Sequence, residues 1–239
     1  MRIIAVSDLH YRLPHYDWLV RACVDAEVVA LCGDLADVVN PVPIDVQSVV
    51  LGKYLGSLSD EAVVLAASGN HDLDGPGEHG EQVAGWLRRA AGERIFTDGA
   101  SVDIEDVRFT ICPWWDGPVT RDEVGAQLAA AAVDRPATWI WLYHAPPAGT
   151  PLCNDGRREF PDHELAVWIE QYQPDVVLCG HIHQAPWANG GSWRAQLGST
   201  WVFNPGKQVG PVPPNVTIDT EERTAHWFGV FESETISLD

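Results

Sequence analysis

Positive charge is scarce in this chain. Lys and Arg total 15 against 34 Asp and Glu over 239 residues, a formal net charge of −19. A long nucleic acid would meet a repulsive field, which argues against a broad polyanion-binding surface while leaving room for one phosphate held by a local metal cluster. Paired cysteines are also missing. Cys23, Cys32, Cys112, Cys153 and Cys179 are odd in number, scattered and never in C-x-x-C spacing, which disfavours a disulfide framework or zinc ribbon and predicts reduced, mostly buried thiols. No apolar run approaches the roughly 18 residues of a membrane span, and the opening M-R-I-I-A-V-S-D reaches a carboxylate too early for a signal peptide. These absences predict a cytoplasmic protein with no membrane partner. Internal repeats and clear linkers are lacking too, so one domain covering residues 1–239 is expected, and 46% hydrophobic residues suffice for a full core.

What is present is a rhythm of strands and helices. The runs 2–8, 27–34 and 62–72 are apolar and rich in β-branched residues without alternation, as in strands covered on both faces. Helix-like segments at 16–26 and 44–57 separate them, which predicts β-α-β units and a mainly parallel sheet, with a third helix over 81–91. The stretch 95–111 alternates polar and apolar residues around turns, suggesting antiparallel strands in a second or extended sheet. A helix over 121–133, a strand over 138–144, a Pro-, Gly- and Arg-bearing loop over 145–161, a helix over 163–172 and a strand over 175–181 follow. The remainder reads as β. Beyond residue 205 it is expected either to offer an edge strand for dimerisation or to close the second sheet, so an oligomer stays open.

Polar residues gather where these strands end: Asp8 and His10, Asp34, Asn70-His71-Asp72, His144, and His181 with His183. In open α/β sheets ligands bind outside the carboxyl ends of strands, so segments distant in sequence would meet there. Asp8, His10, Asp34, Asn70, His144, His181 and His183 form a mixed N/O donor set without thiolate, suited to Mn, Fe, Zn or Co. Seven donors are too many for one such ion and about right for two that share a carboxylate. The glycines at 33, 69 and 180 fit sharp backbone turns beside the ions.

The ordered blocks D-L-H, G-D, G-N-H-D, H and G-H-I-H, spanning residues 8–183, resemble the calcineurin-like metallophosphoesterase superfamily, whose pattern runs D-x-H, G-D, G-N-H-D or E, H, G-H-x-H. The resemblance implies an α/β fold: a four-layer αββα sandwich of two mixed β-sheets flanked by helices, with the dimetal site at strand C-terminal ends. It implies one ion held by Asp8, His10, Asp34 and His183 and another by Asp34, Asn70, His144 and His181, each divalent or trivalent Mn, Fe or Zn. Two such ions would acidify a bridging water into the nucleophile and offset charge on phosphorus. His71 matches the family residue that protonates the leaving group, a role that suits imidazole. Asp72 is expected to orient His71 or support its turn.

Other residues are open to two readings. Arg157 and Arg158, in the loop after H-A-P-P, could reach substrate phosphate together with Asn70, or lie solvated; Lys207 in N-P-G-K is similar. Asn204-Pro205-Gly206 resembles a turn found in small prokaryotic members. Trp114 and Trp115 could wall the cleft or pack in the core. His15, His79, His163 and His226 lie outside the motif. Little chain remains beyond the catalytic blocks, so the expected substrate is small. The size and the H-A-P-P loop look similar to the small phosphodiesterase branch that includes cyclic-nucleotide enzymes. The rivals are a phosphomonoesterase, including a protein phosphatase, and a non-catalytic scaffold of the same fold.

Overall fold

The structure is a computed structural model and describes residues 1–239. In chain order the first half holds β1 (Arg2–Val6), α1 (Leu13–Ala22), β2 (Val28–Cys32), α2 (Ile44–Ser59), β3 (Val63–Ala67), β4 (Gly75–Pro76), β5 (Gln82–Val83), α3 (Gly85–Arg89) and β6 (Ile95–Thr97). Next come β7 (Ser101–Ile104), β8 (Val107–Ile111), α4 (Pro118–Ala131), β9 (Thr138–Leu142), α5 (His163–Tyr172) and β10 (Val176–Leu178). The chain closes with β11 (Arg194–Leu197), β12 (Thr200–Phe203), β13 (Asn215–Asp219), β14 (Thr224–Phe228) and β15 (Ser233–Ser237).

Two mixed sheets form. The first runs β15-β14-β13-β1-β2-β3-β6 and the second β11-β12-β10-β9-β8-β7, with β4 and β5 as a separate ribbon. The two-residue period of a strand sorts each side chain to one layer. On β1 and β2, Ile3, Ala5, Val28, Ala30 and Cys32 face inward, where they join Phe109, Ile140, Leu142, Leu178 and Phe203 from the second sheet. Their neighbours Ile4, Val6, Val29 and Leu31 face outward against α1, α2 and α3, meeting Tyr16, Leu51 and Leu55. The outer face of the second sheet, including Trp139, Trp141 and Val177, packs on Val124 and Leu128 of α4 and Leu165 and Ile169 of α5. The result is the expected four-layer αββα sandwich of two mixed sheets. All five cysteines are buried and free. No helix is long and apolar enough to cross a membrane.

Two expectations change. The helix expected over 81–91 shrinks to the five residues of α3, because Gln82 pairs with Pro76 in the ribbon and Glu81 is drawn to the start of α4. There the Glu81 carboxylate accepts from the amides of Val119 (3.0 Å) and Thr120 (2.8 Å), satisfying donors that the first helical turn leaves open. The tail beyond 205 closes the first sheet instead of the second. Its strand β13 lies antiparallel to β1, matching Ile3 with Ile218 and Ala5 with Val216, so Val216 and Ile218 fall into the inter-sheet core. A final strand, β15, pairs with β14 at the sheet edge although S-E-T-I-S offers little apolar alternation.

The inter-sheet layer is the most sensitive to lost volume. Phe109→Ala, at a fully buried site, is expected to cost about 3–5 kcal/mol in urea denaturation. Val49→Ala, on the exposed side of α2, should stay within about 0.5 kcal/mol.

Candidate metal centre

The C-terminal ends of β1, β2, β3, β9 and β10 converge at one edge of the sandwich, and the loops leaving them carry the seven proposed donors. The chain has to turn sharply there. Asp8, His10, Asp34 and His181 all adopt left-handed backbone, at φ 56°, 44°, 54° and 68°. Such positions cost of order 1–3 kcal/mol each and persist only where the surroundings over-determine them. Gly33 (φ 89°) and Gly69 are required by close approach: a Cβ on Gly33 would enter the His144 ring, and one on Gly69 would strike Asp34.

Asp34 sits at the middle. Its Oδ2 lies 3.4 Å from His10 Nε2 and 3.3 Å from His144 Nε2, facing one imidazole on each side. Its Oδ1 accepts from the His71 amide at 2.9 Å, which leaves Oδ2 to be shared. On one flank His183 Nε2 is 3.2 Å from Asp8 Oδ1 and 3.0 Å from His10 Nε2. Asp8, His10, Asp34 and His183 thus form one donor group, and Asp34, His144 and His181 form another. Asn70 directly precedes His71, whose amide binds Asp34 Oδ1, and its own Oδ1 is buried without a hydrogen-bond partner.

The donor spacing fits divalent ions. Around an ion with bonds of about 2.1 Å, neighbouring donors stand about 3.0 Å apart in an octahedral shell and about 3.4 Å in a tetrahedral one, the spacing seen here. His144 Nδ1 lies 2.7 Å from the Cys32 carbonyl, which fixes the ring so that Nδ1–H donates and Nε2 points at the site. That Nε2 is buried and, like Asn70 Oδ1, makes no hydrogen bond. A buried polar atom without a partner is costly, and a cation would satisfy both.

The electrostatics agree. Burial would lift Asp8, but His183 and His144 outweigh it and hold its carboxyl well below the usual range. Burial lowers His10 and His181 to about 4 each, so both rings are neutral ligands at neutral pH. Burial also opposes charge on His144, yet Asp34 and Asp8 raise it to about 9. A proton there competes with a metal.

His71, 24% exposed at the mouth, directs Nδ1 to Asp37 Oδ1 at 3.1 Å. Asp37 is therefore the carboxylate that orients His71. Asp72 does not take that role: fully buried, it accepts from the amides of Leu35 (3.2 Å), Ala36 (2.7 Å) and Gly69 (2.8 Å), and so ties the β2 and β3 turns together. Burial and the Asp34 charge raise its pKa to about 7 despite those amides. No hydrogen bond or ion pair brings Arg157 or Arg158 to the cluster. Both are exposed, their amides donate to Asp155, and the Arg158 guanidinium covers the Phe160 ring at 4.3 Å. The half-buried cation near the site is Lys207, whose pKa burial lowers while Asp8, Asp37 and Asp34 pull it up.

Sequence reasoning missed Asp37, since an acid three residues after G-D carries no motif of its own. The N-P-G turn at 204–206 does more than reverse the chain. Asn204 is fully buried; its Nδ2 donates to the carbonyls of Gly180 (3.0 Å) and Ile182 (3.1 Å), and its Oδ1 accepts from the Gly206 amide (2.8 Å). The Lys207 amide then donates to the His183 carbonyl at 3.0 Å. This turn braces the loop that presents both imidazoles of G-H-I-H.

Comparison with known proteins adds the following. The family model of the calcineurin-like phosphoesterase superfamily domain matches residues 1–223. TT1561 of Thermus thermophilus is similar in structure at a TM-score of 0.62 and 18% identity, over 100% of this chain and 99% of that one. YfcE, a phosphoesterase from E. coli, gives 0.47 at 17% identity, over 100% of both chains. Vps29 complexed with zinc from Entamoeba histolytica gives 0.45 at 12%, again over 100% of both. No curated protein matches significantly in sequence.

Two outcomes are expected. Asn204→Ala should weaken Mn or Zn binding by roughly 10- to 100-fold in a chelator-competition titration, because the G-H-I-H loop loses its brace. Metal affinity should also rise with pH through neutrality, by up to about tenfold per pH unit until about 9, as binding displaces the His144 proton; titrations across a pH series read the slope.

Proposed function

This chain belongs to the calcineurin-like phosphoesterase superfamily, and on that premise we propose that it is a dimetal-dependent phosphoester hydrolase, acting as a single domain on a small phosphodiester. The observation that carries the reading is Asp34 Oδ2 standing 3.4 and 3.3 Å from His10 and His144, shared by the donor group of Asp8, His10, Asp34 and His183 and that of Asp34, His144 and His181. Mn, Fe and Zn suit those donors. When bound, the two ions polarise the phosphoryl group and make water a competent nucleophile near neutral pH.

The protein's own residues do the rest. Asp8, His10, Asp34 and His183 would hold one ion; Asp34, Asn70, His144 and His181 would hold the other. His71 Nδ1 is anchored on Asp37 Oδ1 at 3.1 Å, which leaves Nε2 free to carry the transferable proton. That geometry lets Nε2 pass a proton to the departing alkoxide while the Asp37 carboxylate stabilises the imidazolium before transfer. Asp72 keeps the His71 turn against β2 through its three amide contacts. Lys207, half-buried beside Asp8 and Asp37, supplies the positive charge that draws an anionic substrate into an otherwise acidic protein. Diester preference rests on the likeness of the H-A-P-P segment and of the chain's size to the small phosphodiesterase branch, in which cyclic nucleotides are among the substrates. A monoesterase, or a metal-holding scaffold without turnover, are the competing readings.

With Mn added to chelator-treated protein, bis(p-nitrophenyl) phosphate should be hydrolysed faster than p-nitrophenyl phosphate. Metal binding without hydrolysis of either would leave the scaffold reading. His71→Ala is expected to lower kcat by about 10²–10⁴-fold on esters with poor leaving groups and far less on p-nitrophenyl esters, with metal content unchanged. Asp37→Asn should move the same comparison in the same direction by a smaller factor, whereas equal losses on good and poor leaving groups would argue against the acid role.

A further inference from the structure

A cavity of about 430 Å³ shares His181 with the metal centre. Trp114, Trp115 and Phe160 line it, together with Asp162, His163 and Glu164. It is continuous with the donor cluster, since the Trp114 ring lies 5.4 Å from the His181 ring and 5.7 Å from that of His144.

The walls are fixed in place. The Trp114 amide donates to Ser68 Oγ at 2.9 Å. Trp115 Nε1 donates to the Tyr143 hydroxyl at 2.6 Å, and that hydroxyl donates to Asp162 Oδ2 at 2.7 Å. Asp162 Oδ1 in turn caps α5 by accepting from the Leu165 amide at 2.8 Å. Phe160 has one face covered by the Arg158 guanidinium. Rigid, part-exposed aromatic faces of this kind suit a flat ring, because stacking gains contact area without ordering flexible side chains.

Charge narrows the occupant. No Lys or Arg lines the cavity, and the charge of Lys207 interacts with Asp8, Asp37 and Asp34 at the donor cluster. Asp162 and Glu164 line it beside His163, with Glu164 paired to Arg121 at 3.8 Å, and the three aromatic walls favour an uncharged ring. Position narrows it further. His71 packs on His10 at 4.6 Å between ring centroids and on Asp37, at the opposite flank from Trp114 and His181. The group that departs toward His71 therefore leaves the cavity to the ester group that stays on phosphorus.

We propose that the cavity walled by Trp114, Trp115 and Phe160 binds the retained ester group of the substrate, and that this group carries an uncharged aromatic ring such as a nucleobase or aryl. The assignment rests on the hydrolase reading, and its test keeps the two apart. Mn-loaded full-length protein is given phenyl p-nitrophenyl phosphate and methyl p-nitrophenyl phosphate, which share a leaving group and differ only in the retained one. The phenyl ester is expected to show a kcat/KM at least about tenfold higher, mostly through KM, and Phe160→Ala and Trp115→Ala should each reduce that ratio by roughly tenfold. The methyl ester serves as the internal reference, so a variant that is partly misfolded loses both rates and keeps the ratio. Titration calorimetry of Zn-loaded protein with phenylphosphonate and methylphosphonate gives a second reading that needs no turnover. Equal kcat/KM for the two diesters, or a ratio that both substitutions leave untouched, overturns the cavity assignment while the hydrolase stands. Absence of hydrolysis together with preferential binding of phenylphosphonate removes the hydrolase and keeps the cavity.

Discussion

One oxygen atom governs the site. Asp34 Oδ2 faces two imidazoles from different parts of the chain, and it does so because Oδ1 is already held by the His71 amide. That arrangement requires β1, β2, β3, β9 and β10 to end level with one another, which the two sheets ensure by register: Val6 matches Leu31, Cys32 matches Ala67, and Leu142 matches Leu178. It also requires backbone that few residues adopt. Four donors in left-handed conformation are held by packing from two full sheets, so the sandwich interior offsets strain that the edge stores. A slip of one residue in any of these strands would turn its donor away from the site and its core face toward the helices.

Much of this was legible in the sequence because the same residues answer two needs at once. β-branched runs ending in acid, amide or imidazole mark both a covered parallel strand and a ligand-bearing turn. The five central strands follow from that coincidence, as does the gathering of Asp8, His10, Asp34, His144, His181 and His183 at their ends, while the four-layer class follows from the resemblance of the ordered blocks to a known superfamily. The segments that misled lack it. Glu81 reads as a helix former, yet its carboxylate meets the open amides of α4 some 38 residues away, a contact no local pattern encodes. The tail strands β13 and β14 alternate well enough to be recognised, but alternation does not say which sheet edge is free. β1 offered one, and Val216 and Ile218 fill the core beneath it.

Asp37 and Asn204 show the same limit within the site. Each acts through geometry rather than through a motif: Asp37 by reaching back to His71 across the β2 turn, Asn204 by spanning two carbonyls of a loop some 22 residues earlier. Asp72, adjacent to His71 in sequence, looked the better partner. Its side chain instead points into the protein, where three amides compete for it. Adjacent residues on a tight turn often diverge, and the partner of a mouth residue comes more readily from a neighbouring strand end.

The scarcity of positive charge then takes on a spatial meaning. Asp8, Asp34, Asp37 and Asp72 crowd one strand edge, and the Asp34 charge helps lift Asp72 to about 7. Such a cluster is electrostatically unfavourable unless cations or imidazolium balance it, and His144, raised to about 9, is the protein's own partial answer. Two divalent ions would balance it more fully and reverse the sign of the local field, which is how a chain with net charge −19 would hold a phosphate there. Beyond the reach of the ions the acidic surface prevails again. That gradient would favour a substrate whose negative charge is confined to the reacting phosphorus, the same preference that the proposed ring site in the cavity lined by His181 would impose by shape.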